Sequence, residues 1–174
     1  MMTRRMWTGF GGMASVMALL LPAPVLAQSL QVDRVEVVRP GVYEIEVGKP
    51  IPDAGLATGN RVEATAYKNV KVGTQIPARL GTVIGAEFTI VGSPRRAKVP
   101  LKMVWRYPEP GLTNPATKVT KTTDEYADTQ LVGEKFPVFW GMTQDWHLVP
   151  GTWTLEVFHG DRKLATQQFR IERP

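Results

Sequence analysis

Lys98-Val99-Pro100-Leu101-Lys102-Met103-Val104-Trp105-Arg106-Tyr107 is the stretch that decides the fold of this chain. Val99, Leu101, Met103, Trp105 and Tyr107 fall on every second position, the period of a strand with one face buried and one wet. Burying a tryptophan removes on the order of 150 to 250 Å² from water, about 4 to 6 kcal/mol gross, which is too much to leave exposed in a small protein. A strand this apolar on one side needs a second layer to cover it.

The same alternation runs outward in both directions. Before it come Val35 and Val37, then Tyr43, Ile45 and Val47, then Val62, Ala64, Ala66, Val70 and Val72, and, after Gly81, Ile84, Ala86, Phe88 and Ile90. After it come Phe136, Val138 and Trp140, then Trp153, Leu155 and Val157, and a Gly160-Asp161 turn into Ala165, Gln167, Phe169 and Ile171. Lys49 to Gly55 reads as a loop, because its prolines and glycine cannot continue a ladder. Pro108, Pro110, Gly111 and Pro115 force a longer connection, read as a crossover between sheets. Arg95-Arg96-Ala97-Lys98, after Gly92-Ser93-Pro94, reads as a charged hairpin tip. Thr117 to Val132 is polar and weakly patterned, with room for one short helix at Asp124 to Ala127. Turn signals recur about every 8 to 12 residues and no helical stripe interrupts them, so the pattern predicts an all-β sandwich. A small closed β-barrel is the alternative, since it shares the alternation and the turn spacing.

The start of the chain carries an address. Arg4 and Arg5 precede an apolar run ending in Leu19-Leu20-Leu21, then Pro22, Pro24 and Val25-Leu26-Ala27. A positive end, an apolar core shorter than the roughly 20 residues needed to span a bilayer, and small residues at the cut make a secretory signal. Thr3-Arg4-Arg5-Met6-Trp7 also resembles a twin-arginine signal, with Thr8-Gly9 a poor continuation. The expected organisation is a cleavable signal over residues 1–27 and one β-sandwich domain over residues 28–174, soluble in the periplasm or secreted, with no later transmembrane segment. Cleavage takes 27 of the 174 residues, leaving 147, enough to bury a core unaided. Losing two of the 21 basic residues and none of the 16 acidic ones leaves the mature charge at +3, which gives no reason to expect a nucleic-acid partner. With no cysteine, the chain has no disulfide, no thiolate metal site and no lipid-modified cysteine.

Four motifs, in order, carry a family likeness. They are Ile76-Pro77-Ala78-Arg79-Leu80-Gly81-Thr82, Arg106-Tyr107-Pro108-Glu109-Pro110-Gly111-Leu112, the run from Trp146 to Val157, and Gly160-Asp161-Arg162-Lys163-Leu164-Ala165. From about Gln75 to Ile171 the chain resembles a family of exported Gram-negative bacterial proteins known only as a domain of unknown function. The resemblance implies an immunoglobulin-like antiparallel sandwich behind a signal peptide and brings no catalytic residues with it. Fold alone does not decide function.

The chemistry-bearing side chains are few. Ser29 and Ser93 are the only serines after the leader, and neither stands in a nucleophile elbow. His147 and His159 flank one predicted strand, too far apart at about 3.3 Å per residue to share a metal, and read as exposed loop histidines. Glu44 and Glu46 have glycosidase-like spacing but fall on the wet face of their strand. Asp124, Glu125 and Asp128 lack the spacing of a calcium loop and read as solvated. No catalytic, cofactor-binding or metal-binding residue is assigned. Trp105 and Trp153 alternate in phase with core residues, whereas Trp140 and Trp146 bracket the Gly141 to Asp145 loop. Trp140, Trp146, Tyr126 and Arg106 are therefore the candidate binding surface. The sequence points to a non-enzymatic binding or accessory module for a protein or envelope component. The alternative is a carbohydrate-binding or polysaccharide-modifying protein using surface tryptophans and acidic residues.

Overall fold

A computed structural model describes residues 29–173; the leader and its cleavage site lie outside the described residues. The strands in chain order are β1 (Gln31–Val47), β2 (Ile51–Pro52), β3 (Asn60–Arg61), β4 (Ala64–Val72), β5 (Gln75–Pro77), β6 (Val83–Ser93) and β7 (Lys98–Arg106). They continue as β8 (Leu112–Thr113), β9 (Thr120–Lys121), β10 (Thr123–Leu131), β11 (Lys135–Gly141), β12 (Gly151–His159) and β13 (Arg162–Glu172). Asp145–His147 form one turn of 3-10 helix. One sheet has the order β11-β6-β1-β4 and the other β10-β7-β12-β13-β5; β2/β3 and β8/β9 are two-stranded ribbons. The two main sheets share no strand and stay open at both flanks, so this is a sandwich and not a closed barrel.

The inward rows are the ones the alternation marks. Ile84, Ala86, Phe88 and Ile90 of β6 and Val99, Leu101, Met103 and Trp105 of β7 are buried, and β12 adds Trp153, Leu155 and Val157 to the same core. Gly160-Asp161 is a two-residue hairpin loop, with Gly160 at φ +57° and His159 paired to Arg162 across it. Gly85 serves a different need: a Cβ there would collide with the Val138 carbonyl and the Phe139 ring, so β11 can lie tight against β6 only at glycine.

Four expectations about the connections and strands are corrected. The proline-rich segment after Tyr107 does not cross between sheets: β7 and β10 are antiparallel neighbours, with Thr123 paired to Arg106. Its length accommodates the β8/β9 ribbon instead. The Arg95 to Lys98 turn is a corner between sheets rather than a hairpin tip, because β6 and β7 lie in opposite layers. Backbone bonds tie Arg96 and Ala97 to Val132, and Arg96 pairs with Glu134 at 2.5 Å. Asp124 to Ala127 is part of strand β10, not a helix, since its nine residues continue a full ladder with β7. The alternation of β4 buries nothing fully: this strand is an edge beyond the opposing layer, and Val70 and Val72 are 45% and 65% exposed.

Candidate functional site

β10 is where the sandwich departs from an ordinary core. Its residues Asp124, Tyr126, Asp128 and Gln130 stand opposite Trp105, Met103, Leu101 and Val99 of β7. Directly paired residues in a ladder point to the same face, so β10 turns a polar row toward the side that β7 fills with core. β10 and β11 are the edges of the two sheets on the same flank, joined by the short Val132 to Glu134 turn. A groove of about 800 Å³ lies between them and the arm of residues 48–63, with Tyr126, Phe136, Trp140 and Trp146 on its walls. The polar row of β10 lines this groove, with Tyr126 also packed against the margin of the core.

The arm is held by a buried carboxylate. Asp124 accepts the Ala57 N–H on both oxygens at 2.8 and 2.9 Å, and Asn114 Nδ2 donates to the Ala57 carbonyl at 2.9 Å. Lys121 donates to the Gly55 carbonyl, and the Arg61 guanidinium lies 5.6 Å from the centre of the Tyr126 ring. Burial raises the Asp124 pKa, with the Ala57 N–H and the Tyr107 hydroxyl opposing it. Burial, reinforced by the Asp124 carboxylate, also holds the Tyr107 hydroxyl protonated. Trp140 Nε1 donates to that hydroxyl at 2.9 Å, so a polar chain runs from Trp140 on β11 through Tyr107, just past β7, and Asp124 on β10 to Ala57 of the arm.

Below this chain the aromatics pack edge to face. Trp140 stands 4.7 Å from His147 and 4.8 Å from Trp153, and Trp146 stands 4.0 Å from His147. His147 Nδ1 accepts the Thr143 N–H at 3.1 Å. Burial lowers the His147 pKa to about 4, the Gly141 carbonyl opposing it, so the ring is neutral at pH 7 with its proton assigned to Nε2. Among the described residues neither that Nε2 nor the indole nitrogen of Trp105 has a hydrogen-bond partner, and both atoms are closed off from solvent. A buried donor left unpaired costs about 1–3 kcal/mol.

Trp140, Tyr126 and Trp146 therefore share one groove, Trp140 with only 8% of its surface exposed and the other two half-buried. Arg106 does not join them. It follows Trp105 and so points to the outer face of its sheet, where its guanidinium bonds Glu156 at 2.8 Å beside Lys163. Burial pulls the Glu156 pKa upward, but the hydrogen bonds from Lys163 and Arg106 outweigh it and hold the carboxyl low. His147 is not an exposed loop histidine: the 3-10 turn tucks it beneath Trp140 and Trp146, 1% exposed. Asp124 is likewise not solvated but buried under the arm, while Glu125, Asp128, Glu44 and Glu46 are exposed. Among the described residues no three His, Cys, Asp or Glu side chains converge to hold a metal ion, and no helix is long and apolar enough to cross a membrane.

The two open sheets and their packing define an immunoglobulin-like sandwich. The chain belongs to the family described as Domain of unknown function (DUF3859), whose pattern matches residues 32–171 and so takes in the N-terminal third as well. It is similar to a solved immunoglobulin-like protein from Pseudomonas aeruginosa, with 24% identity and a TM-score of 0.55 over 83% of this chain and 98% of that one. That likeness shows the fold. An alkylpurine DNA glycosylase from Pseudomonas fluorescens is more distant, with 14% identity and a TM-score of 0.41 over 80% of this chain and 30% of its own. So is a β-glucosidase from Listeria innocua, with 10% identity and a TM-score of 0.37 over 74% of this chain and 16% of its own. Neither of these two carries an argument about this chain. No curated protein matches.

Proposed function

We propose that this protein is exported and serves in the cell envelope as a non-enzymatic binding module, with the groove between β10, β11 and the arm as its ligand surface. The observation that carries this is the groove itself, about 800 Å³, where the half-buried rings of Tyr126 and Trp146 stand beside the exposed, uncharged side chains of Asn60, Thr143 and Gln144. Concave sites that set aromatic faces beside a few polar groups are the usual form of a small-ligand pocket. The signal-like leader supports export. The titratable groups of the groove support a non-catalytic role, since Asp124 is committed to Ala57 on both oxygens and His147 stays neutral far below pH 7.

The test is the melting temperature of the purified mature chain against fractionated envelope material, with Trp146→Ala beside it. A ligand at a hundred times its Kd stabilises by about 2.7 kcal/mol, a shift of several degrees that Trp146→Ala should abolish. No shift with any fraction, or the same shift in both proteins, overturns the proposal. Mass spectrometry of the periplasmic fraction should find a chain beginning at Gln28; an uncut cytoplasmic chain contradicts the export half.

A further inference from the structure

We infer that the groove takes a neutral oligosaccharide. The inference rests on the groove being the ligand surface and adds what the ligand is. The groove offers uncharged polar groups: the side chains of Asn60, Thr143 and Gln144 are exposed on its lining, while Asp124 and Asp128 are engaged within the protein. Asp124 holds Ala57, and Asp128 accepts from the Thr129 N–H at 2.7 Å and from Gln130 at 2.8 Å. A ligand there must hydrogen-bond with amide and hydroxyl groups, and it must lie against the aromatic rings of Tyr126 and Trp146. A sugar ring does both, with hydroxyl and ring oxygens around its rim and apolar C–H faces that pack on indole and phenol.

The two competing ligand classes fit less well. An extended peptide adding to the free edge of β11 meets Pro137 in the middle of that strand, where no N–H is available for the ladder. A polyanion finds no surplus of positive charge, since Arg61 stands 3.8 Å from Glu63 and Lys135 stands 3.8 Å from Glu87. The volume of about 800 Å³ lies within the range of small-ligand sites.

The experiment titrates the mature chain with neutral hexasaccharides of glucose, mannose, galactose and N-acetylglucosamine, with an uncharged extended peptide, and with polygalacturonate. Tryptophan fluorescence and calorimetry are the readouts. The expected result is saturable binding of at least one neutral hexasaccharide, weakened tenfold or more in Trp146→Ala and unchanged in Val72→Ala on the opposite flank. Tyr126→Phe, which keeps the ring and the fold, should weaken it about two- to tenfold, the effect of one hydrogen bond. Binding of the peptide or polygalacturonate alone, sensitive to Trp146→Ala, overturns the saccharide inference and leaves the binding module standing. If no probe binds while an envelope fraction still raises the melting temperature in a Trp146-dependent way, the saccharide inference falls alone. If neither occurs, both fall.

Discussion

β4 and β10 are both nine-residue edge strands, one at the end of each sheet, and they invert each other. β4 carries apolar residues that water reaches: Tyr67, Val70 and Val72 are 37%, 45% and 65% exposed. β10 carries a polar row, Asp124, Tyr126, Asp128 and Gln130, on the side its neighbour β7 packs with core. The difference lies in what stands opposite. No layer covers β4, and Lys68 and Lys71 blunt its free edge against other strands. β10 faces a groove roofed by an arm, so polar side chains there are not packed against a second sheet. An edge strand's pattern thus reports its surroundings rather than simply in and out.

Four changes sharpen or break that contrast. Trp105→Ala, under the polar row, should cost about 3–5 kcal/mol in urea denaturation, because it empties a large part of the core beneath β10. A loss below 1 kcal/mol would mean that the flank is already loosely packed. Second, His147 has a folded pKa near 4 against an ordinary 6.5, so the unfolded chain takes up the proton first. Its contribution is complete above about pH 6.5 and is lost as the pH falls toward 4, about 3 kcal/mol in all. His147→Gln, which cannot titrate, should lack that part of the slope. Asp124 runs in the opposite sense: its pKa is raised, so its contribution is full below the ordinary carboxylate value and falls as the pH rises through the folded one.

Third, Asp124→Asn should cost about 1–3 kcal/mol and speed amide exchange at Ala57, since one of the two oxygens holding that N–H is replaced by a donor. Exchange along β4 should stay as it was; unchanged exchange at Ala57 would detach the arm from Asp124. Smallest is Val72→Thr on β4, expected within about 0.5 kcal/mol of wild type because the side chain is already in water. A cost above 1 kcal/mol would show that a second molecule covers that edge.

The layers were legible in the sequence wherever a strand has a sheet across from it. Val99 to Trp105, Ile84 to Ile90 and Trp153 to Val157 alternate because one side of each is core. The groove was less legible, since its wall breaks that rule: Asp124 to Gln130 reads as an unpatterned polar run until the register with β7 shows which side it faces. Trp140, Trp146 and Tyr126 stood out as aromatics around a loop, and the fold gathers them. Arg106 was separated from them by a single step in period, which turns it to the other face of β7. His147 and the arm were hidden for a different reason, because a 3-10 turn and a contact between Ala57 and Asp124, 67 residues apart, leave no local periodic signal.

The most direct test is whether the half-buried indole of Trp146 meets the ligand. Trp140 and Trp153 donate their indole N–H groups within the protein, to the Tyr107 hydroxyl and to the Val149 carbonyl, both at 2.9 Å, whereas Trp105 has no partner. In a proton–nitrogen correlation spectrum of the mature chain labelled at tryptophan, saturation with the bound saccharide should move the indole resonance of Trp146 most and leave that of Trp153 in place. Binding that leaves Trp146 unmoved would place the ligand elsewhere and contradict the groove as the site.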